Sequence, residues 1–305
     1  MSNPNAGLPL NSTLGAAYLG TLAAALMYDL TTLQTFLYFN SYKSDKRWLS
    51  SMILVLWILD SIHFALTAHG VYFYLITNFG YFAAVASPTW SILLQVYAST
   101  MIGAIVRCIF GWRVQILCGA QKALGTAIFG IVALLSFLTV VTAYVFVSRA
   151  FALKTFAKMN KMSWLLYLGF AADVVADILI AVSLCTILLR SKTGIKSTDS
   201  KLSFILAFTV NTGFLTSICA LACLITYAIW PQRFVFLGIY FAQSKLYVNA
   251  LLASLNARGN LRQDNVKSSM MMPSALATRS IAFNDLDLIE IGFDTTAMRK
   301  TFDGA

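Results

Sequence analysis

Charged side chains are scarce in this 305-residue chain, at 11%, and acids are scarcer than bases, 12 against 22, while 59% of the residues are hydrophobic. Roughly a quarter of a soluble domain is charged, so that class is excluded. Proline is scarce too: the five, Pro4, Pro9, Pro88, Pro231 and Pro273, avoid the interiors of the long apolar runs. Proline-kinked spans are thereby excluded. Only two histidines occur, His63 and His69, off one helical face, and neither an HExxH motif nor a nucleophile elbow is present. Zinc-protease and serine-hydrolase chemistry lack their residues. The cysteines, Cys108, Cys118, Cys185, Cys219 and Cys223, fall in apolar runs or just beyond one. They read as packing residues rather than as a disulfide framework. No basic stretch precedes the first apolar run, which is also too long for a signal-peptide core, so the first helix is expected to direct the chain to its membrane.

What is abundant is the long hydrophobic run. A helix crosses the hydrocarbon with roughly 20 mostly apolar residues, and seven stretches qualify: 14–39, 48–76, 88–112, 123–147, 164–189, 202–229 and 234–255. Segments such as ILLQVYASTMIGAIV do not alternate in the way that barrel strands must. The predicted fold is all-α, an integral membrane bundle of seven transmembrane helices. Trp48, Trp112, Trp164 and Trp230 mark run ends, where indoles sit at headgroup level.

Basic residues in short loops set orientation. Lys43, Lys46, Arg47, Arg113, Lys122, Arg190, Lys192, Lys196, Lys201, Arg258 and Arg262 share one side and outnumber Arg149, Lys154, Lys158, Lys161 and Arg233 on the other. The expected arrangement is a short extracellular N-terminus (1–13), a transmembrane domain (14–257) and a disordered cytosolic tail (258–305), polar from GNLRQDNVKSS onward. The sequon at Asn11 agrees with an outer N-terminus. Helix lengths suit a plasma membrane or a secretory-pathway membrane equally.

An ionisable group inside a span costs at least ~2.5 kcal/mol and marks function by default. The candidate set is Asp29, Asp60, His63, Arg107, Asp173, Asp177 and Lys245, with Asn211 and Asn249 beside them. Asp173 and Asp177 share a helix face, as do Lys245 and Asn249. Lys245 is expected to neutralise one or more of Asp60, Asp173 and Asp177. Two readings stay open: a polar network that fixes helix packing, and a ligand pocket, an ion path or a Schiff-base site. Retinal on Lys245 lacks the usual companions, since Phe241 stands four residues earlier where an acid is expected. No metal site is expected, because Lys245 and Arg107 compete for the carboxylate oxygens.

The segments ADILIAVSLCTILLRSKTGIKSTDSKL, NTGFLTSICALACLITY and YFAQSKLYVNALLASLNAR, preceded by TLQTFLYF, WILDSIHFAL and QVYASTMIGAIVRCIFGWRV, carry a resemblance across residues 14–262. They resemble a fungal, chiefly basidiomycete, family of seven-span membrane proteins known as domain of unknown function 6534. The resemblance implies a fungal membrane protein of no established activity. It rests on positions that include Asp177, Arg190, Lys192, Asn211, Gly213, Lys245, Asn249 and Asn256.

The expected function is that of a receptor-like sensor with a mid-membrane polar cluster. A loop carrying Arg190, Lys192, Lys196 and Lys201 would meet a cytosolic signalling partner. The alternatives are a transporter or channel for protons or small solutes and a retinal photoreceptor. Neither an enzyme nor a cofactor is expected; the partners are the lipid bilayer, a small-molecule ligand and the cytosolic protein, not nucleic acid.

Overall fold

The computed structural model describes residues 10–42, 47–119, 121–153, 155–190, 196–231 and 233–270. Its helices are α1 (Leu14–Ser41), α2 (Arg47–Tyr72), α3 (Trp90–Leu117), α4 (Lys122–Leu153), the one-turn α5 (Phe156–Met159), α6 (Ser163–Arg190), α7 (Lys196–Ile229) and α8 (Val235–Met270). No strand occurs among the described residues. Among the described residues, six of the seven long helices hold a stretch apolar enough to cross a bilayer, and α7 contributes a shorter apolar segment, Gly213–Ile229. The chain is a multi-pass, all-α membrane protein.

Helices overrun the apolar runs that predicted them. Hydropathy marks where hydrocarbon stops, whereas a helix satisfies its own backbone and continues past that plane. Accordingly α3 extends to Leu117, α4 to Leu153, and α7 begins at Lys196, within the expected cytosolic loop. The expected boundary at 258 needs correction for the same reason, since α8 continues through Arg258 to Met270. Residues 271–305, the rest of the expected tail, lie outside the described residues.

The long helices close a ring in the order α1, α2, α3, α4, α6, α7, α8 and back to α1, with α3 also touching α6 and α8. Of the spanning windows, 61% is buried in α3 and in α8 but only 17% in α1, so α3 and α8 form the interior. Leucines and phenylalanines such as Leu26, Phe36, Leu134 and Phe137 point outward, a surface that only lipid can cover without penalty. We term the end where α1 starts the near end. One apolar layer there joins Val71, Tyr74, Ile92, Phe234, Leu237 and Phe241. A second, toward the far end, joins Tyr38, Leu49, Ile53, Ile102, Leu251 and Leu255. Asp60 and His63 of α2, Gln95 of α3 and Lys245 of α8 lie between them, so this polar group is sealed from both sides.

Two local features hold this arrangement. At the near end the Tyr74 hydroxyl donates to the Ser87 carbonyl (2.8 Å) and accepts from the Thr89 amide (3.0 Å), while Thr89 caps α3 by accepting from the Ile92 amide. The connector Phe82–Ala86 is thereby held against the bundle, after a turn at Gly80 whose φ of 77° suits glycine. The second feature is the contact of α1 with α8, which run side by side in the same direction. A Cβ on Gly20 would lie 2.3 Å from the Gly238 Cα, and one on Gly238 would lie 2.5 Å from the Ala16 carbonyl oxygen. Small residues allow this approach, as they commonly do between membrane helices.

Gly238→Val is therefore expected to destabilise the protein by about 1–3 kcal/mol through overpacking. Gly130→Ala, where an added Cβ meets nothing within 4 Å, serves as the control and should leave stability unchanged. Thermal unfolding of the two variants in one detergent checks this, and equal midpoints would refute the close contact.

Candidate functional site

Burial separates the candidate residues into two ionic groups. In the first, the Lys245 ammonium on α8 donates to the Asp60 carboxylate Oδ1 (2.7 Å) and to the Asp60 carbonyl (2.6 Å) on α2. Neither side chain is exposed to any extent. The Tyr28 and Phe64 rings stack on one another and lie 5.1 and 5.7 Å from the ammonium, which adds cation–π attraction. Next to this pair Ser244 meets His63 Nδ1 at 3.3 Å, and Gln95 of α3 stands beside the same ring. His63 Nε2 and both polar atoms of the Gln95 side chain are buried without a hydrogen-bonding partner among the described residues.

In the second group, the Arg107 guanidinium of α3 lies between two acids of α6. One terminal nitrogen is 2.7 Å from Asp173 Oδ1 and Nε is 3.0 Å from Asp177 Oδ1. The other terminal nitrogen donates to the Tyr247 hydroxyl of α8, which donates to Asp177 Oδ2 at 2.7 Å. Thr139 of α4 adds a donor to Asp173 Oδ1 at 2.9 Å. The guanidinium reaches these partners because helical side chains lean toward the N-terminus of their helix. Room for it comes from Gly103, one turn earlier, where even a Cβ would sit 3.4 Å from a guanidinium nitrogen.

Of the three buried acids, one or more of which Lys245 is expected to neutralise, the lysine reaches one. Lys245 holds Asp60 alone, and Arg107 holds Asp173 and Asp177. Helix geometry gives the reason: residues 245 and 247 are turned about 200° apart on α8, so the lysine faces α2 while Tyr247 faces α3 and α6. Two further candidates leave the cluster. Asp29 is exposed on the outer face of α1, because its neighbour Tyr28 takes the inward position and bonds Ser61. Asn249 donates to the Met27 carbonyl, and Asn256, two turns on, donates to the Gln34 carbonyl, so these amides clamp α8 to α1. For Asn211, Arg190, Lys192, Lys196 and Lys201, the side chains lie outside the described residues.

Beside the second group is a cavity of about 240 Å³ among α3, α4, α6, α7 and α8, at the near end. Its walls are mostly apolar, with Phe146, Phe170 and Leu237 among them, and Asp173, Thr139, Thr142 and Tyr240 bring polarity to its deep side. A space of about 30 Å³ lies on the opposite side of the guanidinium, lined by Arg107, Asp177 and Tyr247. Lys245 lines neither. Tyr247, Thr139 and Gln95 were not among the sequence candidates. A glutamine in mid-span was a legible signal, whereas a threonine or tyrosine in an apolar helix is too common to be one. Among the described residues no three His, Cys, Asp or Glu side chains are grouped to hold a metal ion.

Removing one member of a buried ion pair leaves an uncompensated charge and costs about 3–5 kcal/mol, whereas replacing both can be nearly neutral. Asp60→Leu and Lys245→Met are each expected to lower the unfolding midpoint strongly, and the double variant to recover most of the loss. Asp29→Leu, on the exposed face, should cost nothing measurable. A midpoint series in detergent decides, and additive losses in the double variant would refute the pairing.

Compared with known proteins, residues 173–260 match the model of a family of unknown function, DUF6534. No curated protein and no solved structure matches the chain. The matched stretch runs from α6 into α8 and holds Asp173, Asp177, Lys245 and Tyr247, while Asp60, Arg107 and Thr139 precede it. Each ionic group thus has one part inside the similar region and one outside.

Proposed function

We propose that the chain is a seven-span, receptor-like sensor that binds a small molecule in the near-end cavity and transmits its occupancy to the far end. In this reading the near end and N-terminus face outward, as the basic residues suggest, in the plasma membrane or secretory pathway of a fungal cell. The far end presents the segment from Arg190 to Lys201 to a cytosolic partner. One observation carries the proposal: Asp173 lines the cavity while its carboxylate is held by Arg107, which also holds Asp177 and Tyr247. A ligand that shifts Asp173 acts on α3, α6 and α8 together. Such tightly packed ionic junctions favour discrete arrangements over gradual ones.

The test is a native mass spectrum of detergent-purified protein from its own host. Wild type is expected to carry an additional small mass, and Gly169→Leu or Ala143→Leu, which fill the cavity wall, to lose it. A bare mass in wild type would overturn the pocket reading.

A second reading, a proton or solute conduit, draws support from the smaller space beyond Arg107, because the ionic group then divides two cavities. Liposomes with the protein should then show a proton flux that Asp177→Asn abolishes. A flux equal to that of empty liposomes would dismiss this reading.

A further inference from the structure

We propose that the cavity accepts a small amine, an apolar body with one protonated nitrogen placed against Asp173. The proposal rests on the reading of this cavity as a ligand pocket and adds what the ligand must carry. Three observations on its walls lead there.

First, the threonine hydroxyl hydrogens at the deep side are already used, and the Tyr240 hydroxyl there lies against the Ser99 side chain. Thr100 donates to the Val96 carbonyl (2.9 Å), Thr142 to the Leu138 carbonyl (3.0 Å), and Thr139 divides its hydrogen between the Leu135 carbonyl (3.1 Å) and Asp173 Oδ1 (2.9 Å). A hydroxyl has one hydrogen, so these threonines offer a ligand lone pairs only. Second, among the described residues no lysine or arginine lines the cavity. Third, the ionic group behind it is short of positive charge. Arg107 serves two carboxylates, Asp173 and Asp177, and Lys245 is committed to Asp60. Of the two acids beside Arg107, Asp173 is the more accessible, 10% against 4% for its side chain, and it is the one that lines the cavity.

Threonines that can only accept, beside an acid pair with surplus negative charge, complement a cation with N–H donors and disfavour an anion. The remaining walls ask for hydrocarbon, and a volume below the ~300–1,000 Å³ of drug-sized sites keeps the body small. Basic residues near the cavity mouth act weakly on such a ligand. Lys161 is exposed two residues before α6 begins, and Asp173 lies about 15 Å along that helix at 1.5 Å per residue, beyond a ~8 Å Debye length.

The test uses the full chain in neutral detergent at pH 7, with three probes of one shape: 2-phenylethylamine, 2-phenylethanol and 3-phenylpropanoate. The amine is expected to raise the unfolding midpoint saturably, at a concentration about tenfold or more below that required for the alcohol, as a charge-assisted hydrogen bond implies; the acid should have no effect. Asp173→Asn should abolish the amine's advantage and keep the alcohol's response. Thr142→Val, which removes one acceptor outside the ionic group, should weaken the amine several-fold and provides a variant whose folding is not in question. Equal response to amine and alcohol, or preference for the acid, would overturn the amine assignment while leaving a ligand pocket in place. Silence toward all three probes would overturn both.

Discussion

The guanidinium of Arg107, enclosed with two carboxylates, dictates where three helices stand. Moving an ion of this size out of water costs several kcal/mol even after relaxation, and only well-formed hydrogen bonds recover it. The partners come from α6 and α8, with Thr139 of α4 bound to one of the same acids. A slide of any of these helices by one turn, 5.4 Å, would leave a charge stranded in the bundle. Apolar packing alone imposes no such register, because lipid is as good a solvent for leucine as another helix is. The ionic group accordingly specifies the arrangement that the apolar layers then fill.

Helix α8 extends this constraint to the rest of the ring. Lys245 ties it to α2 on one side and Tyr247 ties it to α3 and α6 on the other. The amides of Asn249 and Asn256 fix it to α1 through backbone carbonyls seven residues apart. Rotation of α8 in either direction breaks one set of bonds before it can form another. The helix whose burial is among the greatest is therefore the one on which the remaining helices are registered.

Much of this was legible in the sequence, and the remainder was not, for definite reasons. Hydrocarbon demands long apolar runs, so the helices and their order could be read, and a charge within a run has to face inward or find a partner, so Asp60, Arg107, Asp173, Asp177 and Lys245 stood out. Which cation meets which acid depends on helix rotation, and an error of one residue turns a side chain by about 100°. Asp29 illustrates this: Tyr28 takes the inward position and the acid faces outward. Tyr247 and Thr139 act through neutral hydroxyls, which carry no penalty that would mark them in a sequence. The cavity was illegible altogether, since it is formed by residues of five long helices and three connectors.

The two ionic groups differ in a way that separates their roles. Lys245 and Asp60 balance one another, are fully enclosed and line neither of the two spaces described. Disturbing them costs energy, and a ligand held in either of those spaces does not touch them to supply it. Arg107 is outnumbered by its acids, and its group adjoins space on both sides, through Asp173 on one and through Arg107, Asp177 and Tyr247 on the other. A ligand can act on a conformational equilibrium only through contacts that differ between the two states. Of the two groups, only the Arg107 junction offers a surface where such a difference can arise, and the Lys245 pair supplies the fixed frame against which it moves.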